Sequence, residues 1–250
     1  MHWSDEGYVL AARRHGESSV VASLFTKMRG RHAGLVRGGG GRKLRPVLQP
    51  GNRVAATWRA RLADHLGSLT VELIRAEAAA VLDDPPRLAA LASACAVAEA
   101  SLPERHAYPR AFAAFESLMA ALAGDAGWAA AYVRWELALL GDLGFGLDLR
   151  TCAVTGRSDG LAYVSPRSGR AVTREAAGPY RDRLLALPGF LVGDGPTDAQ
   201  AIRDGLALTG SFLERHAMAA LGRRMPRARD RLLGYFSDST ATSGTLTGDR

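Results

Sequence analysis

RVAATWRARL, residues 53–62, sets the expected fold of the first third of this 250-residue chain. Every second position of this stretch is apolar: Val54, Ala56, Trp58, Ala60 and Leu62. The intervening positions include Arg53, Thr57, Arg59 and Arg61. A period of two is typical of a β-strand that buries one of its faces. The stretch therefore predicts a strand with one apolar face and one cationic face.

Four further strand-like runs lie around this stretch, at residues 6–16, 18–26, 31–39 and 68–78. The first run shows the same alternation at Tyr8 and Leu10. Turn residues separate the runs, and a glycine-rich segment with two prolines connects the third run to the fourth. Five short strands with one longer connection suit a small closed antiparallel barrel. The OB-fold is the best-known example, and an SH3-like barrel is the structural alternative.

Helical periodicity replaces the strand pattern near residue 80. Asp83 and Asp84 precede Pro85 and Pro86, an arrangement typical of a capped helix start. Further helices are predicted from Pro109 and from about residue 127, with their aromatic side chains in the core. Residues 145–175 break the rhythm and predict a small turn-rich β insertion. Helices are expected to resume near residue 179, to continue over residues 201–221 and to end with residues 227–236.

The predicted fold class is α+β. A five-stranded OB-fold barrel occupies residues 1–80, and an all-helical C-terminal domain with the small β insertion occupies residues 81–236. The last residues, 237–250, are rich in Ser, Thr and Gly and are expected to be disordered.

The basic excess of the chain is confined to its first eighty residues. This part holds 13 lysines and arginines against 6 acidic residues, whereas residues 81–250 hold 19 of each. Residues 18–63 contain ten basic side chains and no acidic one. No acidic side chain within this stretch offsets the repulsion between its positive charges. The stretch therefore indicates a polyanionic partner, and nucleic acid is the obvious one.

The barrel cations are the predicted DNA-binding residues: Arg13, Arg14, Lys27, Arg29, Arg31, Arg37, Arg42, Lys43, Arg45, Arg59 and Arg61. The first choice among them is Arg37, Arg42, Lys43 and Arg45, which flank Gly38–Gly41 in what we interpret as a flexible barrel loop. It is not a phosphate-binding P-loop, because Lys43 is followed by leucine. Aromatic side chains are few here, so binding is expected to depend on counterion release and to be salt-sensitive. The helical domain holds a second cluster of cations that either adds to the DNA-binding surface or is only a positive helix end with a solvated turn. Its members are Arg223, Arg224, Arg227 and Arg229.

Sequence signals for catalysis are missing. There is no HExxH, GxSxG or GxxxxGK[ST] motif, and the six histidines are scattered, so we interpret each as a surface residue. Cys95 lies among alanines and is interpreted as a small buried apolar residue. No run of eighteen apolar residues is present, and the first residues do not resemble a secretory signal. The sequence favours a cytoplasmic binding protein over an enzyme and predicts no contact with membrane.

Several stretches together resemble the bacterial RecO family of recombination-repair proteins. They are DEGYVLAARRHGESSVVASLFTKMRGRHAGLVRGG (residues 5–39), RPVLQPGNRVAATWRARL (45–62), LGFGLDLRTCAVTG (143–156), AYVSPRSGRAV (162–172) and FLERHA (212–217). The resemblance covers almost the whole chain apart from its last residues, and it rests on the order and spacing of the stretches rather than on one motif.

The resemblance implies a recombination mediator of DNA repair in the RecF-type pathway, without a nucleotide cofactor. Such a protein binds ssDNA and dsDNA, anneals complementary strands, and works in the cytoplasm in association with the nucleoid. The implied partners are RecR, the acidic C-terminal tail of the single-strand-binding protein and, indirectly, RecA. The residues themselves leave two alternatives open: an RNA-binding OB-fold protein, or a protein-docking adaptor with only nonspecific nucleic-acid affinity.

One departure from the family pattern concerns zinc. Many members carry two Cys-x-x-Cys pairs in the insertion and hold the metal there. In this chain Cys152 keeps the first position, Thr155 stands at the second, and the later pair would fall at about Thr173 and Ala176. One thiolate cannot build a tetrahedral zinc site, so no metal is predicted. Turn hydrogen bonds and apolar packing by Leu161, Tyr163 and Val164 are expected to hold the insertion instead.

Overall fold

The computed structural model describes residues 1–62, 64–124 and 127–237. Five strands form the first part: β1 (His2–His15), β2 (Ser19–Thr26), β3 (Gly30–Val36), β4 (Arg53–Arg59) and β5 (Ser68–Arg75). They close into a barrel in the order β1-β2-β3-β5-β4, with β4 returning to β1. All pairings are antiparallel except β3 with β5, which pair in parallel at Leu35 and Ser68. A closed five-stranded barrel agrees with the predicted OB-fold.

The alternation of β4 has the predicted outcome. Val54, Ala56 and Trp58 are buried in the barrel core, where they pack with residues of the other strands. The strand ends at Arg59, and Leu62 lies beyond it with its side chain exposed. The apolar face is therefore shorter than the sequence pattern suggested.

The first strand serves two cores at once. Val9 points into the barrel, whereas its neighbours Tyr8 and Leu10 pack with the helices that follow. The Tyr8 ring lies 5.1 Å from the ring of Phe115, and Phe25 of β2 lies 5.2 Å from Phe112, measured between ring centroids. The apolar alternation at Tyr8 and Leu10 thus marks the face on which the helical part docks, and not the inside of the barrel.

The helical part begins directly after the barrel. Its helices are α1 (Glu77–Ala80), α2 (Pro85–Ser101), α3 (Pro109–Ala123), α4 (Trp128–Asp142), α5 (Arg174–Ala177), α6 (Ala199–Phe212) and α7 (Arg227–Gly234). The predicted helix starts at Pro85 and Pro109 are confirmed, and the Asp84 carboxylate caps α2 by accepting a hydrogen bond from the Arg87 amide at 3.1 Å. A π-helical turn, Leu213–Met218, extends α6. None of these helices combines the length and hydropathy needed to cross a membrane.

The insertion is longer than predicted. Strands β6 (Leu161–Val164) and β7 (Ala171–Thr173) lie within residues 145–175 as expected, but a third strand, β8 (Leu185–Ala186), pairs with β6. Two 3-10 turns, Gly178–Arg183 and Gly189–Leu191, flank β8. The expectation that helices resume near residue 179 is met only by the short 3-10 helix Gly178–Arg183, and the next α-helix, α6, begins at Ala199. Of the predicted disordered tail, residues 238–250 lie outside the described residues.

Candidate nucleic-acid interface

Nine of the eleven predicted DNA-binding cations are exposed and form no ion pair with any described residue. They are Arg14, Lys27, Arg29, Arg37, Arg42, Lys43, Arg45, Arg59 and Arg61. The backbone contacts around them place them in two groups. We call Arg14, Arg37, Arg42, Lys43 and Arg45 the hairpin-loop group, and Lys27, Arg29, Arg59 and Arg61 the strand-end group.

The hairpin-loop group lies where the turn between β1 and β2 meets the glycine-rich segment. The Gly40 amide donates a hydrogen bond to the Ser18 carbonyl at 3.0 Å, which ties the segment to that turn. The Leu44 carbonyl accepts a hydrogen bond from the Leu48 amide, also at 3.0 Å, and the Leu48 side chain is buried in the barrel core. The interpretation of this segment as a flexible loop is therefore corrected. It is a folded series of turns, and its cations project from a fixed base.

Two cations of this group share one surface cavity. Arg14 and Arg45 line a concavity of about 320 Å³ together with the backbone of Gly39 and Gly40. Val20 and Leu48 provide apolar lining. No acidic side chain lines the cavity, and the two guanidinium groups are the charged groups of its lining. A phosphate of a nucleic-acid strand has the charge and size to enter it.

The strand-end group surrounds the beginning of β1. Arg59 faces His2 across the pairing of β1 and β4, and Arg61 follows two residues later. Arg29 and His2 line a common cavity, which brings the turn between β2 and β3 to the same region. Lys27 lies in that turn. This group therefore forms a second cationic area, separate in its contacts from the glycine-rich segment.

Arg13 and Arg31, the other two predicted cations, are engaged by the helical part. Arg31 is buried, donates a hydrogen bond to the Leu102 carbonyl at 2.6 Å and pairs with Glu104 at 3.1 Å. Arg13 remains exposed but pairs with Glu99 at 3.4 Å. Burial and pairing remove Arg31 from the candidate interface, and its contacts join the barrel to the loop after α2. Arg13 lies at the margin of the interface.

The Arg223–Arg229 cluster also divides. Arg229 is buried and paired with Glu136, so it is part of the helical core. Arg223 donates hydrogen bonds to the carbonyls of Glu99 and Ala100 at the end of α2. Arg224 and Arg227 are exposed. The four arginines therefore do not form a single cationic surface.

The interpretation of all histidines as surface residues is wrong for His32. Its side chain is buried between Trp3 and Trp58, and burial together with the nearby Arg105 charge lowers its pKa to about 4. His216 is half-buried and stacks against Phe145 and Phe212. The sequence offered no signal for these neighbours, because they lie far apart along the chain. The interpretation of Cys95 as a buried residue is confirmed.

The four positions that the family resemblance assigned to zinc come together in the structure. The Cys152 sulfur accepts hydrogen bonds from the amides of Thr155 at 3.5 Å and Thr173 at 3.3 Å, and the Thr173 hydroxyl accepts one from the Ala176 amide. Burial opposes ionisation of Cys152, but the Thr155 and Thr173 hydrogen bonds outweigh it and lower the pKa of the thiol to about 6. One thiolate with two threonines and an alanine does not fit a tetrahedral zinc ion.

Apolar packing accompanies these hydrogen bonds in the insertion. Cys152, Tyr163 and Val172 form a small core, against which Leu161 packs. Val164 belongs to the main helical core instead. The expected roles of Leu161 and Tyr163 are thus confirmed, and Val164 anchors the insertion to the helices.

Comparisons with known proteins agree with this architecture. The family described as Recombination protein O N terminal matches residues 1–76, and Recombination protein O C terminal matches residues 82–225. The DNA repair protein RecO of Rhodospirillum centenum is 54% identical over 246 residues, which cover 98% of each chain. That of Rhodospirillum rubrum is 56% identical over 240 residues, covering 93% of this chain and 95% of the relative. That of Phenylobacterium zucineum is 51% identical over 240 residues, covering 96% and 99%.

Proposed function

The chain belongs to the RecO family of DNA repair proteins, and from this membership we propose that it is a recombination mediator without enzymatic activity. It binds ssDNA and dsDNA through the cations of its barrel and anneals complementary strands. With RecR it helps RecA to load onto single strands coated by the single-strand-binding protein, whose C-terminal tail it contacts. It does this work at the nucleoid. The named partners are proposed from family membership alone.

The observation that carries the DNA-binding proposal is the hairpin-loop group. Its five cations are exposed and have no acidic partner among the described residues; Arg14 lies near the end of β1, and the other four project from a segment that Leu48 and Gly40 hold against the barrel. A backbone that is already folded loses less conformational freedom when its cations meet a phosphate than a loose loop does. The segment is therefore prepared to receive a phosphate backbone.

Annealing follows from the same property. Two complementary strands repel each other through their phosphates, and a cationic surface that holds both lowers this repulsion. Backbone contacts carry no sequence information and leave the base edges free to pair. A protein that binds phosphates in this way promotes pairing of any complementary sequences.

Fluorescence anisotropy of a labelled strand of ~30 nucleotides, titrated at several salt concentrations, tests the proposal. The test variant is Arg42→Ala/Lys43→Ala/Arg45→Ala. Each phosphate contact on a single strand contributes about 0.7 to the slope of log K against log salt. Loss of three contacts is expected to reduce the magnitude of that slope by about 2 and to slow annealing of labelled complementary strands.

A matched control removes three cations from another part of the chain. Arg110, Arg167 and Arg174 are exposed, form no ion pair with a described residue and lie outside the barrel, in the helices or the β insertion. Their joint replacement with alanine lowers the net charge equally, so it separates a local effect from a change in total charge. Equal slopes for the wild type and the test variant would refute the role of the hairpin-loop group. The mediator role fails if, in the presence of RecR, the protein does not accelerate RecA assembly on coated single strands.

An RNA strand of the same sequence serves as competitor. Displacement of DNA by RNA at lower concentration than by unlabelled DNA would favour the RNA-binding alternative. Preference for DNA, or equal competition, agrees with the proposed role.

A further inference from the structure

The strand-end group borders a cavity with an unusual lining. The cavity has a volume of about 410 Å³, and its walls include Trp3, Trp58 and His32. Arg29 and Arg105 contribute the charged part of the lining, and no acidic side chain takes part. Aromatic rings beside positive charge are the two features that a single nucleic-acid strand requires, one for its bases and one for its phosphates.

The aromatic rings form an ordered cluster. Trp3 and Trp58 lie nearly parallel, with ring centroids 5.9 Å apart and an angle of 15° between the planes. Trp58 is buried, and its indole N–H donates to the Leu66 carbonyl at 2.9 Å. Trp3 is only partly buried. Trp58 is therefore a fixed support, and Trp3, which is partly exposed and lines the cavity, is the ring on which a further planar ring can stack.

His32 stands edge-on to both tryptophans, with centroid distances of 4.9 Å to Trp3 and 4.8 Å to Trp58. It is only 6% exposed, and among the described residues neither of its ring nitrogens has a hydrogen-bond partner. Unpartnered buried polar atoms are rare because they are costly, and each asks for an explanation. Since its pKa is depressed, the ring is neutral at pH 7 and carries one donor and one acceptor.

Arg105, on the cationic side of the cavity, comes from the loop after α2 and is held by contacts with the barrel. Arg105 has a φ of +64°, a region that residues with side chains rarely adopt. Its amide donates to the Arg31 carbonyl at 2.8 Å, and its guanidinium donates to the carbonyls of Asp64 and His65. These contacts fix Arg105 across the connection between β4 and β5. Unusual backbone geometry that is held by its surroundings is frequent at binding sites.

We propose that this cavity takes an unpaired nucleobase of a single DNA strand. The base stacks on Trp3, its polar edge reaches the His32 nitrogens after a small shift of the Trp3 ring, and the adjoining phosphates lie against Arg29 and Arg105. The inference rests on the proposed DNA-binding function and adds to it a site that distinguishes single strands from duplexes, because a paired base is not available for insertion.

The test compares two labelled strands with the same number of phosphates. One is a thymidine 30-mer, and the other, the abasic-centred strand, has abasic residues at every position except the terminal nucleotide at each end. The full chain is titrated with each strand by fluorescence anisotropy, as wild type and as Trp3→Ala. Trp128→Ala is the matched control, because Trp128 is also partly buried but packs on Phe236 in the helical part.

The wild type is expected to prefer the base-bearing strand. Loss of one stacked base reduces affinity about 5- to 150-fold. Trp3→Ala should lose this preference while its affinity for the abasic-centred strand stays unchanged, and Trp128→Ala should behave as the wild type. An unchanged far-ultraviolet circular dichroism spectrum of Trp3→Ala shows that the variant is folded.

His32→Phe is the second variant and keeps the ring between the tryptophans while removing both nitrogens. It is expected to retain the melting temperature and to lose part of the preference for bases. If Trp3→Ala fails to fold, an unchanged preference in His32→Phe overturns the proposal. Equal binding of both strands by the wild type overturns the base site but leaves the phosphate-driven function intact. Absence of binding to either strand overturns both.

Discussion

Replacement of Arg229 with methionine would leave the Glu136 carboxylate buried without its cation. Arg229 Nε donates to Glu136 Oε1 at 2.7 Å and Nη2 donates to Oε2 at 2.9 Å, so the pair is bidentate. Nη2 also donates to the Leu206 carbonyl at 2.7 Å. Glu136 has no exposed surface, and Arg229 has 4%. The pair joins α7 to α4 inside the helical core.

The expected cost follows from this burial. Removal of one partner from a buried ion pair costs about 3–5 kcal/mol, because the remaining charge has lost both water and its partner. Arg229→Met and Glu136→Leu should each lower the free energy of unfolding by about this amount. The double variant leaves no unpaired charge, and the Thr209 hydroxyl, which donates to Glu136, can still donate to the Gly205 carbonyl at 3.0 Å. The free energy of unfolding of the double variant is expected to lie within about 1–2 kcal/mol of that of the wild type.

Urea unfolding at pH 7, followed by far-ultraviolet circular dichroism, measures all four proteins of this double-mutant cycle. The salt dependence of DNA binding is measured in parallel and should be unchanged in each variant that remains folded. A loss below about 1 kcal/mol for Arg229→Met, or a double variant as unstable as the sum of the singles, would refute the reasoning. If folded Arg229→Met showed a smaller slope of log K for DNA binding against log salt, Arg229 would have to be counted among the DNA-binding residues.

Two further predictions concern the insertion and the glycine-rich segment. The lowered pKa of Cys152 means that its thiolate forms as pH rises through about 6, whereas burial raises the pKa of Cys95 to about 12. Absorbance at 240 nm should therefore rise near pH 6 in the wild type and in Cys95→Ala but not in Cys152→Ser, and a rise near pH 9 would contradict the hydrogen-bond account. Leu48→Ala should cost about 2–5 kcal/mol by urea unfolding and weaken DNA binding although all cations remain; unchanged affinity would show that the anchor is dispensable.

Local sequence patterns predicted the elements that depend only on neighbouring residues, such as a strand with alternating faces or a helix that begins at a proline. The alternation of β4 placed Val54 and Trp58 in the barrel core because a strand exposes its two faces alternately. Pro85 and Pro109 marked helix starts because proline fits the first helical turn, where its missing N–H removes no hydrogen bond. These signals need no knowledge of the rest of the chain.

Features that depend on contacts between residues far apart in the chain could not be predicted from the sequence. The alternation at Tyr8 and Leu10 is the same whether the partner is the barrel interior or a helix docked on its outside, and only the fold distinguishes the two. The two-residue strand β8 is too short to show a period. His32 lies between two tryptophans that are far from it in the chain, so no local spacing indicated its burial.

The candidate interface illustrates the same limit through charge. Eleven of the thirteen lysines and arginines of residues 1–80 were predicted to bind DNA, but their sequence could not show which of them the helical part would neutralise. Glu99 of α2 pairs with Arg13 and lies 3.6 Å from Arg31, and Glu104 after that helix pairs with Arg31 as well. These acidic residues are separated from the arginines by most of the barrel and one helix.

The docking of the helical part therefore determines which barrel cations are available for the proposed DNA binding. Where α2 and the following loop cover the barrel, their carboxylates oppose its arginines, and the local field is reduced. The glycine-rich segment and the strand-end group lie beyond these carboxylates and keep their full charge. Arg105, which comes from the helical part, adds a further cation to the strand-end group. One domain thus shapes the electrostatic surface of the other, by masking cations on the docked face and adding one where the aromatic cavity opens.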